Sequence, residues 1–175
     1  ANVGTGDNVV IPGITVRGTA PKTLLIRAAG PALAGFGVTG TLTNPVVNVF
    51  NAAGEKILVN DNWSEVPDVA GLRNAAAAQG AFALPEGSRD AAMLVTVAPG
   101  SYTVQVTGAG TGAAAQGVAI VEVYEADAGS STLVVEADQR MRGVASPRAM
   151  SRRATFEADP SVGRAVATLA WGWVG

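Results

Sequence analysis

The chain has 175 residues, 48% of them hydrophobic, only 5% aromatic and 15% charged, with a formal net charge of −2. It contains neither His nor Cys, which excludes a Ser-His-Asp triad, a thiolate nucleophile, an iron–sulfur cluster and any disulfide. A chain this size can bury enough surface to fold without a metal or covalent staple, and its near-neutral charge gives no global attraction for nucleic acid or anionic lipid.

In chain order the hydrophobic period is two almost throughout, the signature of half-buried strands. Residues 8–18 (NVVIPGITVRG) read as a strand pair or a kinked strand, broken at Pro12-Gly13. Residues 22–28 (KTLLIRA) read as a strand. Residues 35–40 fit G-x-G-x-x-G, but Thr41 to Pro45 cannot open a helix, so these are loop glycines and not a dinucleotide site. Residues 45–51 and 55–60 flank Ala52-Ala53-Gly54 as a hairpin. Residues 64–80 carry early acids, Pro67 and a terminal Gly80 around an Ala-rich middle, which predicts one helix over 67–79. Residues 91–97 and 101–107 flank Ala98-Pro99-Gly100 as a second hairpin, and Gly108 to Gly112 reads as a strand connection. Residues 117–124 (GVAIVEVY) read as a core strand, with 132–136 (TLVVE) as one more. This pattern predicts an all-β fold: an antiparallel, jelly-roll-like β-sandwich with one short helix in a connection and a C-terminal extension. No apolar run reaches the roughly 18 residues of a membrane span. The start at Ala1 lacks the charged and apolar regions of a signal peptide, so the chain reads as a mature, trimmed form.

Composition shifts near residue 129. Residues 1–135 hold six basic and ten acidic residues, whereas 136–175 hold six basic and four acidic. All six of those bases are Arg: Arg140, Arg142, Arg148, Arg152, Arg153 and Arg164. They precede the uncharged run 165–174 (AVATLAWGWV). The expected division is a β-sandwich domain at 1–128 and an Arg-containing extension at 129–175 that ends in an apolar strand. Acids interleave with the Arg series and no aromatic platform accompanies it, so salt bridging to an acidic protein surface fits better than nucleic acid.

Asn60, Asp61 and Asn62 collect oxygen side chains past a strand end, with Asp90 and Glu65 as further ligands. Asn60, Asp61 and Asp90 therefore form a candidate calcium site, the one cofactor expected; Asx turns that cap loops are the alternative. Trp63 beside these residues either stacks on a sugar or anchors its loop into the core. Glu122 and Glu125 sit three apart on one strand and so point to opposite sides, which does not make a glycosidase pair. Taken with the missing His and Cys, this speaks against an enzyme.

The segments PKTLLIRAAGPAL (21–33), NPVVNVFNAAGEKILVNDNW (44–63), GAFALPEGSRDAAMLVTVAPGSYTVQVTG (80–108) and EVYEAD (122–127) carry a resemblance. In order and spacing the chain resembles, over residues 3–128, an uncharacterised repeat domain of bacterial secreted and surface proteins. Residues 44–108 are also similar to the pre-peptidase C-terminal jelly-roll domain, some members of which bind calcium. The resemblance implies an extracellular or cell-surface β-sandwich with a binding or structural role and no catalytic residues. It also implies that a strand of the form R-L-x-N-L-S-x-R belongs before GTGDN, where this chain begins, and residues 129–175 depart from the pattern.

From this follows the functional expectation: a non-enzymatic extracellular structural protein whose partners are copies of itself. The strand at 165–174 would complete a neighbouring subunit, with Val166, Leu169, Trp171, Trp173 and Val174 at the interface. Arg148, Arg152 and Arg153 would meet the neighbour's acidic body. Two alternatives stand beside it: the strand folds back into its own domain, or the chain is a glycan- or protein-binding, adhesin-like module.

Overall fold

A computed structural model describes residues 2–3, 9–127, 132–138, 155–157 and 166–169. In chain order the strands are β1 (Asn2–Val3), β2 (Ile11–Arg17), β3 (Lys22–Ala29), β4 (Pro45–Phe50), β5 (Lys56–Asn60), β6 (Ala91–Val97), β7 (Gly100–Gly108), β8 (Gly117–Val118), β9 (Ile120–Glu125), β10 (Thr132–Asp138), β11 (Thr155–Glu157) and β12 (Val166–Leu169). One α-helix, α1 (Val69–Ala78), interrupts them. Among the described residues no helix is long and apolar enough to cross a membrane.

The strands form an antiparallel six-stranded sheet, β11-β10-β2-β7-β4-β5, and an antiparallel four-stranded sheet, β12-β9-β3-β6. They pack face to face over one aliphatic core. Alternate residues of the facing strands supply it: Ile14 and Val16, Leu24 and Ile26, Val47 and Val49, Val104 and Val106, Val121 and Val123. Each such side chain contributes about 1.5–3 kcal/mol when fully buried. The fold is thus an all-β sandwich, as the alternation predicts. The four-stranded sheet is covered on its other face too, where Leu25, Ala92 and Tyr124 pack against Trp63 and Leu72 of the α1 region. That second cover is why β3 and β9 read as almost continuously apolar.

One alternative is decided and two local expectations are corrected. Of the strand pair and the single kinked strand expected around Pro12-Gly13, the structure shows a single strand, β2, running through both residues. Its ladder to β7 holds from Gly13 to Val16, lapses at Ile11 and Pro12 and resumes at Val10–Val106, as suits a residue with no N–H to donate. The helix begins later than expected, with Asp68 as N-cap accepting from Gly71 N at 2.7 Å. Most consequentially, β6 and β7 are not a hairpin. β6 pairs with β3 in one sheet, while β7 pairs with β2 and β4 in the other, so residues 98–99 carry the chain across the sandwich. The hairpin at β4 and β5 forms as expected, with a register shift at Val49/Phe50.

The sheet also continues beyond the expected domain boundary at 128. All seven residues of β10 pair with β2, Thr132 opposite Arg17 through Asp138 opposite Ile11.

Candidate functional site

The proposed calcium ligands Asn60 and Asp90 occupy one junction between loops, but their oxygens serve the backbone. Asp90 is fully buried; its Oδ1 accepts from Gly30 N at 2.8 Å and Ala32 N at 3.2 Å, and its Oδ2 from Ser88 Oγ at 2.6 Å. Its own carbonyl accepts from Trp63 N at 2.8 Å. Asn60 Oδ1 accepts from Ala92 N at 2.9 Å, and its Nδ2 donates to Asn62 O. The Asp61 carboxylate accepts from Asn62 Nδ2 at 3.5 Å. Two of the three residues therefore act as caps that tie the loop after β5 to the strand start of β6. Among the described residues no group of three acidic side chains is placed to hold a metal. Gly30 belongs to the same junction for a steric reason: a Cβ there would collide with the carbonyl of Leu42.

Trp63 is 2% exposed, and its Nε1 donates to Ser88 Oγ at 3.1 Å. Arg73 covers its ring, with Cζ 4.9 Å from the centroid. The ring is an anchor, and no stacking face is left to a sugar in solvent.

The predicted interface residues Val166 and Leu169 lie on β12, which runs antiparallel to β9 of the same chain. Val166 is opposite Tyr124 and Leu169 opposite Val121. This is the outer position of the four-stranded sheet. Trp171, Trp173, Val174, Arg148, Arg152 and Arg153 lie outside the described residues. At the far edge of the six-stranded sheet, β5 turns Leu58 toward the core and leaves Ile57 41% and Val59 59% exposed. That combination, a strand edge with no further partner among the described residues and an apolar outer row, is a template for pairing with another chain.

A further polar cluster escaped the sequence reading. On the α1 side of the four-stranded sheet, Arg27 of β3 stands directly opposite Glu122 of β9, with Nε 3.4 Å from Glu122 Oε2. Both are buried. Arg27 Nη2 donates to Phe82 O at 2.8 Å, and its Cζ lies 4.5 Å from the Phe82 ring centroid. Arg27 Nη1 is buried with no hydrogen-bond partner among the described residues, an arrangement that costs about 1–3 kcal/mol. Tyr124 donates to Glu122 Oε1 at 2.8 Å. Burial, then that hydrogen bond and the charge of Glu122, push the Tyr124 hydroxyl above the ordinary phenol range, while Arg27 pulls the other way. On the opposite face of the same strands, Lys22 is buried against Glu125 at 3.2 Å and Asp127 at 3.6 Å. The readable signal was two basic residues in β3, Lys22 and Arg27, and two acidic residues in β9, Glu122 and Glu125, in otherwise mostly apolar strands.

Above Arg27 lies a cavity of about 200 Å³ between α1 and the sheet, walled by Trp63, Leu72, Ala76 and Phe82. At its rim Arg73 Nη2 meets Glu86 Oε1 at 2.6 Å, an exposed pair.

Comparison with family models, with curated proteins and with solved structures finds no match to this chain.

Proposed function

We propose that the chain is a non-enzymatic structural subunit of an extracellular or cell-surface filament, joined to copies of itself by strand exchange or edge pairing. The observation that carries this reading is the β9–β12 ladder. The outer strand of the four-stranded sheet comes from a segment some forty residues downstream of its partner, and a neighbour can supply the same segment to the same position. Exchanging an identical element is a low-cost route to association, and a head-to-tail contact that does not close gives a filament. The exposed edge of β5, with Ile57 and Val59, supports a second junction of the edge-pairing kind.

In this reading Trp171, Trp173 and Val174 extend the exchanged strand, and its apolar burial supplies the strength. Arg148, Arg152 and Arg153 cross to the acidic body of the neighbour, setting orientation and association rate more than affinity.

The absence of Cys permits a clean test. Val123→Cys and Ala167→Cys stand opposite each other across the ladder. Oxidised during assembly, the double variant is expected to give a ladder of covalent oligomers on a denaturing gel, and the full chain large polymers by negative-stain microscopy. A bridge formed only within one chain, in a protein that elutes at 17.5 kDa, would overturn strand exchange. Polymers linked by no such bridge, yet lost on Val59→Lys, would move the junction to the β5 edge.

A further inference from the structure

Independently of assembly, the geometry points to a covalent cross-link: an amide formed between the side chain of Lys22 in β3 and that of Asp127, just after β9. Lys22 lies two residues before Leu24, so it shares the face of β3 that lines the core between the sheets. Its cross-strand neighbour in β6 is Val97, a core residue. The Lys22 side chain is 1% exposed, whereas the other lysine of the chain, Lys56, is exposed. Lysine is almost never fully buried unless it is paired, and here two carboxylates meet it. Nζ donates to Glu125 Oε2 at 3.2 Å and lies 3.6 Å from Asp127 Oδ1.

Strand register fixes this trio. Leu24 stands opposite Glu125, and just beyond that pair Ala126 N donates to Thr23 O at 2.8 Å. Thr23 N donates in turn to Asp127 Oδ2 at 2.6 Å, which holds the carboxyl group with its other oxygen toward the amine. That oxygen, Oδ1, is buried and accepts no hydrogen bond among the described residues. Amine and carboxyl are thus kept in near contact, which replaces a bimolecular encounter. Glu125 takes a proton from the Lys22 ammonium, and the freed lone pair on Nζ attacks Cγ of Asp127. The N–H of Thr23 stabilises the charge that grows on Oδ2. The bond from Cγ to Oδ1 then breaks, and Oδ1 leaves as water. Both of its protons come from the original ammonium, one of them by way of Glu125. Ammonium and carboxylate have become amide and water, and nothing is oxidised or reduced. In open water such a pair stays ionic; burial makes its two charges costly, and condensation removes both. The Asp127 side chain is 32% exposed, which leaves the released water a way out.

Intact-mass spectrometry of the full chain, folded and then denatured, tests this directly. The parent chain is expected to be lighter than its sequence mass by one water. Trypsin should cut after Lys56 but not after Lys22, and should return a branched peptide that joins Lys22 to the segment holding Asp127. Lys22→Arg keeps the positive charge without the reactive amine, and Asp127→Ala removes a partly exposed carboxyl; each should show the full sequence mass. Glu125→Gln, which removes the proton carrier, should be recovered largely without the bond. A folded parent chain that keeps its full sequence mass after prolonged incubation overturns the inference, and no variant need fold for that result. A water loss that survives Lys22→Arg overturns it equally, by assigning the loss to another group. A Glu125→Gln chain bonded to the same extent as the parent would overturn the part given to Glu125.

Discussion

The two faces of the β3–β9 pair are built from the same strands and obey opposite rules. Toward the six-stranded sheet, Leu24, Ile26, Ala28, Val121 and Val123 form a buried aliphatic layer, each at most 1% exposed. Toward α1, the residues one step out of phase are Arg27, Glu122 and Tyr124, beside Trp63 and an open cavity. A sheet–sheet contact is a continuous surface, and interdigitating side chains fill it. The contact between a sheet and one ten-residue, alanine-rich helix is not, because alanine reaches too little of the sheet. Long polar side chains span what is left, and they do so as a pair that must be complete.

The largest expected effect tests that completeness. Glu122→Leu leaves Arg27 buried without its counter-charge and should cost roughly 3–5 kcal/mol in urea unfolding. The double variant Arg27→Met/Glu122→Leu should recover most of that loss, since an apolar pair of similar volume restores packing. A double variant no more stable than Glu122→Leu would show that the charges hold the face together and do not merely tolerate each other.

Packing on the two faces gives the next largest contrast. Ile26→Ala opens a hole in the buried layer and should cost about 3–4 kcal/mol, whereas Leu72→Ala, at the wall of an existing cavity, should cost about 2. Equal costs measured in the same unfolding series would mean that the outer face packs as tightly as the inner.

The smallest effect concerns pH. Tyr124 is held protonated by burial and by Glu122, so its folded pKa lies above its unfolded value of about 10. The stability it contributes is complete below pH 10 and declines as pH rises above it. Tyr124→Phe should lose about 1 kcal/mol at neutral pH and should show a shallower loss on the alkaline side. Identical alkaline slopes would assign that titration to another group.

Period-two alternation carried most of the sandwich, because one face of each strand must be dry and the other need not be. It could not tell a hairpin from a crossing. Ala52-Ala53-Gly54 and Ala98-Pro99-Gly100 look alike locally, yet the first joins neighbours and the second changes sheets. The distinction lies in Ala91, Ala92 and Met93, all buried in succession, which a strand with a solvent face would not be. Asn60 and Asp90 were visible as oxygen donors brought to one place. What they receive depends on backbone N–H groups 32 and 60 residues away, and no spacing reports that. Arg27 and Glu122 were each visible too; their meeting is a matter of register between distant strands, which local pattern leaves open.

The order β12-β9-β3-β6 has a kinetic consequence. No two adjacent strands of that sheet are consecutive in the chain, and its side-chain locks span 60 residues at Gly30–Asp90 and 104 at Thr23–Asp127. The six-stranded sheet, by contrast, contains the local β4–β5 pair. Loop-closure entropy must be met before such distant pairings are rewarded, so folding should be on the slow side of the millisecond-to-second range typical of sandwiches. During synthesis β3 must wait, with apolar side chains on both faces and Arg27 without its partner, until β6 and then β9 emerge. Over that interval its natural partners are also present on neighbouring nascent chains, and the time spent waiting sets how often one copy is completed by another.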